Sequence, residues 1–169
     1  MEIPQGKNRE DNKARKKIIK DFYASWIAEH PEKKIWNNSL NSFIYIKGQS
    51  INETAGHASL SYESTQAVIQ LTDVLKEATV KETWVPKHGD KNQKPYSVMR
   101  LLRWKNYRLI VGYQKSKGEW VQYYIGSEQT KKKKPSGNGF QVGLGSSCLE
   151  KVVIPYANSP STNPTANIQ

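Results

Sequence analysis

From Ser64 to Ala78 the apolar positions Val68, Leu71, Val74, Leu75 and Ala78 recur at helical spacing, which predicts one helix with a core-facing stripe. The period then changes. Thr79–Val85, Tyr96–Trp104, Arg108–Gln114 and Trp120–Ile125 are rich in aromatic and β-branched residues, as half-buried strands are. Lys105-Asn106 and Ser116-Lys117-Gly118 read as tight turns between them. A second helix is predicted from Asp11 to about Glu29. It carries Ile18, Ile19, Phe22, Tyr23, Trp26 and Ile27 on one side and a run of lysines on the other. His30-Pro31 ends it, because proline pushes the preceding residue out of the α region. Ile35 to Ile46 predicts a short helix near Asn38–Phe43 followed by a short extended piece. The fold expected is α+β: N-terminal helices packed on a four-stranded antiparallel sheet, with an extended C-terminal tail.

Alternation assigns faces to the strands. Arg108, Gln114, Trp120, Gln122 and Tyr124 are expected on the sheet face away from the helices, where a guanidinium, amides and rings share one surface. Charge sharpens that expectation. Between Pro86 and Lys117 nine lysines and arginines (Lys87, Lys91, Lys94, Arg100, Arg103, Lys105, Arg108, Lys115, Lys117) stand against Asp90 alone. The whole chain carries a formal +11. Such a surface suits a polyanion, with phosphates on the cations and unpaired bases on the rings, so RNA is expected ahead of DNA. The bland alternative is an ordinary polar sheet surface with snorkelling arginines. The expected nucleic-acid contacts are Lys87, Lys91, Lys94, Arg100, Arg103, Lys105, Arg108, Trp120 and Gln122.

In 169 residues there is room for one domain with extensions. Residues 1–10 read as a flexible N-terminus and 11–125 as the domain. Residues 126–157 read as a basic, glycine-rich extension, and 158–169 as a disordered tail. Lys131–Lys134 is a solvated linker or an electrostatic arm, and residues 137–156 hold an apolar alternation suited to docking on a protein partner. Gly137–Gly145 lacks the Gly-Lys-Ser/Thr ending of a phosphate-binding P-loop. Cys148 is the only cysteine, which rules out an intramolecular disulfide and a cysteine-rich zinc site. No apolar run approaches the roughly 20 residues of a membrane span, and the first residues lack a signal-peptide core. The expectation is a protein without membrane, metal or cofactor, acting in the cytoplasm or inside a phage particle.

Ser50–Ser61 is polar but carries small residues and His57 in place of linker charges. The histidine suits a general base or acid, a phosphate contact, or a structural role bonded to a carbonyl. The segments "KKIIKDFYASWIAEHP", "SINETAGHASLSYESTQAVIQLTDVL" and "WVQYYI" resemble small uncharacterised proteins of gut Bacteroidales and their phages and mobile elements. More broadly, the order of helix, loop 86–95 and strands "PYSVMRLLRWKNYRLIVGY" and "EWVQYYIG" resembles the barnase–EndoU–colicin–RelE-like superfamily. That resemblance implies metal-independent RNA cleavage in many members and lost activity in others. Such cleavage needs a base for the ribose 2′-OH, an acid for the leaving oxygen and a cation for the phosphorane-like charge. On residue chemistry the catalytic candidates are His57 as base or acid, Arg108 as the cation and Tyr124 to orient the scissile group, with Gln122 or Thr65 as substitutes for Tyr124. Two functions follow: a ribonuclease-like toxin or phage effector, or a non-catalytic virion-associated protein that contacts nucleic acid or other virion proteins.

Overall fold

The structure, a computed structural model, describes residues 2–128. Helices α1 (Arg9–Glu29), α2 (Gly48–Ala58), α3 (Tyr62–Ile69) and α4 (Leu71–Glu77) pack on a mixed sheet. Its strands are β1 (Lys34–Asn37), β2 (Ser42–Tyr45), β3 (Thr79–Trp84), β4 (Val98–Trp104), β5 (Tyr107–Gln114) and β6 (Glu119–Ser127). They lie in the order β1-β2-β6-β5-β4-β3. The fold is α+β, with six strands where four were expected. The expected meander is β3 to β6, all antiparallel neighbours. The two additional strands come from the stretch read as a short helix. Ile35 and Ile44 pair across an antiparallel hairpin, and Ile44 enters the core. Asn37 holds the turn. Its Nδ2 donates to the carbonyls of Leu75 (2.8 Å) and Ala78 (2.9 Å), while its Oδ1 accepts from the Leu40 N–H at 2.8 Å. These bonds tie the hairpin to the end of α4, a long-range constraint that local periodicity does not carry.

The helix predicted over 64–78 is two helices, α3 and α4, meeting at Gln70 (φ −97°, ψ 24°). The stripe survives the break: Val68, Leu71, Val74, Leu75 and Ala78 are all buried in the main core with Ile19, Tyr23, Leu102, Leu109 and Ile125. Ser50–Ser61, which gave no helical signal, is mostly α2. Its Thr54, Ala55 and Ala58 are fully buried. Small side chains let this helix approach β6 closely, and that contact stabilises a helix whose local propensity is modest.

The position of α2 follows from backbone hydrogen bonding. β2 pairs with β6 only through Ile44–Trp120 and Tyr45–Val121, so the rest of that β6 edge has no strand partner among the described residues. The helices satisfy it. The Ser50 hydroxyl donates to the Gln122 carbonyl, and the Ser127 N–H donates to Ser64 Oγ at 3.1 Å. At the other end of α2, the fully buried Arg15 donates through Nε to the Ser59 carbonyl at 2.7 Å. Its Nη1 reaches the carbonyls of Pro4 and Gly6, each at 2.7 Å, so the chain before α1 is tied to the helical layer.

One polar group sits at the helix–sheet interface. Gln122, buried on β6, donates through Nε2 to Tyr23 Oη (2.8 Å) and Thr54 Oγ1 (2.9 Å), and the Tyr23 hydroxyl lies 3.1 Å from its Oε1. The triad links α1, α2 and the sheet. Replacing Gln122 with Leu strands two buried hydroxyls and should cost about 2–4 kcal/mol, read as a lower urea midpoint at unchanged slope. Burial also pushes the Tyr23 phenol up to about 12, against hydrogen bonds from Thr54 and Gln122 that pull it down. An unfolded tyrosine ionises near 10, so this contribution is intact below pH 10 and lost as pH rises towards 12. Urea midpoints should therefore fall across that window in the wild type, and Tyr23→Phe should flatten the fall.

Candidate functional site

A β-bulge decides which side chains form the outer face, the side of the sheet away from the main core. Between β5 and β6 the register steps from Ile110↔Tyr124 to Val111↔Gln122, leaving Tyr123 as the extra residue. Simple alternation put Trp120, Gln122 and Tyr124 together. The bulge separates them. Trp120 packs against the main core, Gln122 is buried among the helices, and Tyr124 joins a second, outer cluster with Tyr96, Met99, Leu101, Ile110 and Val121. The expected contacts Gln122 and Trp120 are thus corrected in face. Thr65 is likewise buried, its hydroxyl bonded to the carbonyls of Ala58 (3.1 Å) and Ser61 (2.9 Å).

The outer face is partly roofed. The segment between β3 and β4 folds back so that the Tyr96 ring lies on Gly112, where a Cβ would sit 2.5 Å from the ring. Gln49 of α2 ties this segment down by donating to the Asn92 carbonyl at 2.9 Å. Gly126 does the same for Tyr124: a side chain there would collide with the tyrosine hydroxyl. Tyr124 therefore lies along β6, with its ring between two groups. The Arg108 guanidinium carbon is 5.5 Å from the ring centre, and the His57 ring meets it edge-on at 6.0 Å. The structure thus brings His57, Tyr124 and Arg108 together from α2, β6 and β5.

Glu53 completes the line. One helical turn before His57, its Oε2 lies 3.7 Å from His57 Nε2. The carboxylate is 17% exposed and the imidazole 61%. Sequence reading missed this carboxylate; the i,i+4 spacing of Glu53 and His57 was the available signal, visible only if the segment is a helix. The negative charge of Glu53 is felt nearby. Tyr123 is pushed up to about 12, chiefly by burial, then by Glu53 and Asp90, with a hydrogen bond to Gln93 pulling it down. Tyr96 shifts upward for the same two leading reasons, burial and Glu53.

The arginines divide. Arg100 and Arg103 are three residues apart on one strand and so face opposite sides. Arg100 lies over Trp120, 4.8 Å from the ring centre, on the helix side. Arg103 and Arg108 are direct cross-strand partners on the outer face. Glu128 pairs with Arg103 at 2.9 Å. Arg108 has no carboxylate within 4.0 Å among the described residues, and its buried Nε lacks a hydrogen-bond partner. Two facing guanidiniums held by one carboxylate leave a net positive charge, which suits an anion.

Lys87, Lys91 and Lys94 are exposed on the roofing segment. Lys105 is exposed in the β4–β5 turn, 4.0 Å from the Trp104 ring centre. None of these four makes an ion pair among the described residues. No described helix is long and apolar enough to cross a membrane. Residues 131–134 and 137–156, with the arm and docking roles expected of them, lie outside the described residues.

Compared with known proteins, the chain matches no family model, no curated protein and no solved structure.

Gly126→Ala should displace Tyr124, lower stability by about 1–3 kcal/mol and move the His57 ring proton shifts in NMR spectra, as Tyr124→Leu should. Unmoved shifts in both variants would contradict the contact. Glu53→Gln removes a charge that opposes phenolate, so the Tyr123 titration, followed by its own ring signals in NMR spectra, should move below about 12 while burial still holds it above the free value.

Proposed function

We propose that this protein binds RNA on its outer face and cleaves it without a metal ion. The observation that carries the reading is Arg108. Its guanidinium has no acidic partner among the described residues and rests on the same Tyr124 ring that contacts His57. The reaction assigns a role to each group. Glu53 takes the proton of a ribose 2′-OH, whose oxygen attacks the adjacent phosphorus. Protonated His57 gives its proton to the departing 5′-oxygen, so a cyclic phosphate and a free hydroxyl end result. Arg108 bears the added negative charge of the pentavalent transition state, and Tyr124 positions the strand between them. The exposed lysines of the roofing segment supply phosphate contacts that raise affinity without choosing sequence. The resemblance to the barnase–EndoU–colicin–RelE-like superfamily agrees with this assignment, and a toxin or a phage or mobile-element effector acting in the cytoplasm is the corresponding role.

A second reading has an observation of its own. His57 is 61% exposed, so the site is a surface, not a cleft. Such a surface also serves a protein that holds nucleic acid without cutting it, as a virion-associated component does.

Labelled RNA incubated with the protein in EDTA separates the two. Cleavage is expected, with His57→Ala and Glu53→Gln each slowing it by about 10²-fold or more and Arg108→Ala impairing both binding and cleavage. Intact RNA retained in a salt-sensitive complex by wild type and His57→Ala alike would establish the second reading and overturn the first.

A further inference from the structure

The β1–β2 hairpin presents an aromatic platform that the proposed reaction does not use. Ile35 and Ile44 face the main core, so their neighbours Trp36 and Phe43, paired across the hairpin, face the other way. That is the outer face, the one that carries Tyr124 and Arg108. Tyr45, two residues beyond Phe43, confirms the side: it packs on the outer cluster of Tyr96 and Val121. Trp36 and Phe43 are 41% and 38% exposed, among the few large apolar residues of the described chain left in solvent. Their rings meet edge-on at 5.1 Å, and Trp36 Nε1 donates to Asn38 Oδ1 at 3.0 Å, which fixes the indole. Lys34 Nζ stands 4.7 Å from the Phe43 ring centre and 6.0 Å from that of Tyr45, with Glu32 at 3.4 Å as a solvent-exposed partner. An ammonium among rings offers one phosphate contact beside two partly exposed rings.

Resting on the RNA-binding reading above, we infer that Trp36, Phe43 and Lys34 form a subsite for unpaired bases of single-stranded RNA whose scissile phosphate lies at Arg108. Continuity supports this. β2 runs parallel to β6 at the level of Tyr45 and Val121, and Tyr124 follows on the same face. The roofing segment crosses between them, from Tyr96 on Gly112 to Asn92 on Gln49, and carries the exposed Lys91 and Lys94 along the way. The separation from Phe43 to Tyr124 is about 15–18 Å from strand rise and spacing, the reach of a few nucleotides. Charge and chemistry choose the occupant. Exposed rings beside a cation bind bases whose own faces are free, and in a duplex those faces are taken by neighbouring bases. The subsite therefore makes the protein selective for single strands.

The test uses the full chain with His57→Ala, so that RNA stays intact, and fluorescence anisotropy with a labelled uridine-rich 12-nucleotide RNA, alone and as a duplex. The single strand should bind at least about tenfold more tightly than the duplex. Trp36→Ala with Phe43→Ala should weaken single-strand binding roughly 5- to 100-fold and leave duplex binding unchanged. Trp36→Phe, which keeps a ring, should lose far less. Lys34→Met, which keeps an apolar stem over the rings and removes the charge, should lower the salt dependence of single-strand binding, and it serves as the reporter if the double variant fails to fold. Equal affinity for both RNAs, or parental binding by the double variant with Arg108→Ala still weakened, would overturn the subsite alone. Parental binding by Arg108→Ala, or no binding at all, would overturn the RNA-binding reading beneath it.

Discussion

The extra residue in β6 governs the molecule. Side chains on a strand alternate with a period of two, so one inserted residue exchanges faces for everything beyond it. With Tyr123 as that residue, Gln122 turns in to bond Tyr23 and Thr54, and Ile125 turns in to the main core. Tyr124 turns out, opposite Ile110 and beside Arg108. Without the bulge, Gln122 and Ile125 could not both face the helices. The same irregularity thus fixes the helices to the sheet and sets the ring around which the candidate site is assembled.

The second constraint is the unpaired edge of β6. A carbonyl or N–H left there without water or a partner is costly, and serines at the starts of α2 and α3 supply the partners. The consequence is geometric. A helix held against a strand edge can present side chains to both sides of the sheet. α2 sends Thr54, Ala55 and Ala58 into the core, and it sends Gln49, Glu53 and His57 to the outer side. The carboxylate and imidazole thus come from the helical layer, yet they stand on the face that the helices do not cover.

Charge on that face is less uniform than the count of lysines and arginines between Pro86 and Lys117 implies. Arg100 is on the helix side, and Arg103 is paired with Glu128. What is left is focused: one guanidinium without an acid among the described residues, against a tyrosine seated by Gly126, with exposed lysines on the neighbouring segment.

Periodicity in the sequence determined the α1 helix, the buried stripe of α3 and α4, and the meander from β3 to β6, because each depends on residues close in the chain. Composition and charge pointed to a polyanion, and residue chemistry alone singled out His57, Arg108 and Tyr124, which the fold does bring together. Only the tertiary structure decided the rest. The β1–β2 hairpin needed Asn37 to find the end of α4, α2 needed the free edge of β6, and the faces of Trp120 and Gln122 needed the register against β5. Glu53 entered the site only once α2 existed to carry it beside His57. Each of these is settled by hydrogen bonds between residues distant in sequence, and such bonds leave no periodic trace along the chain.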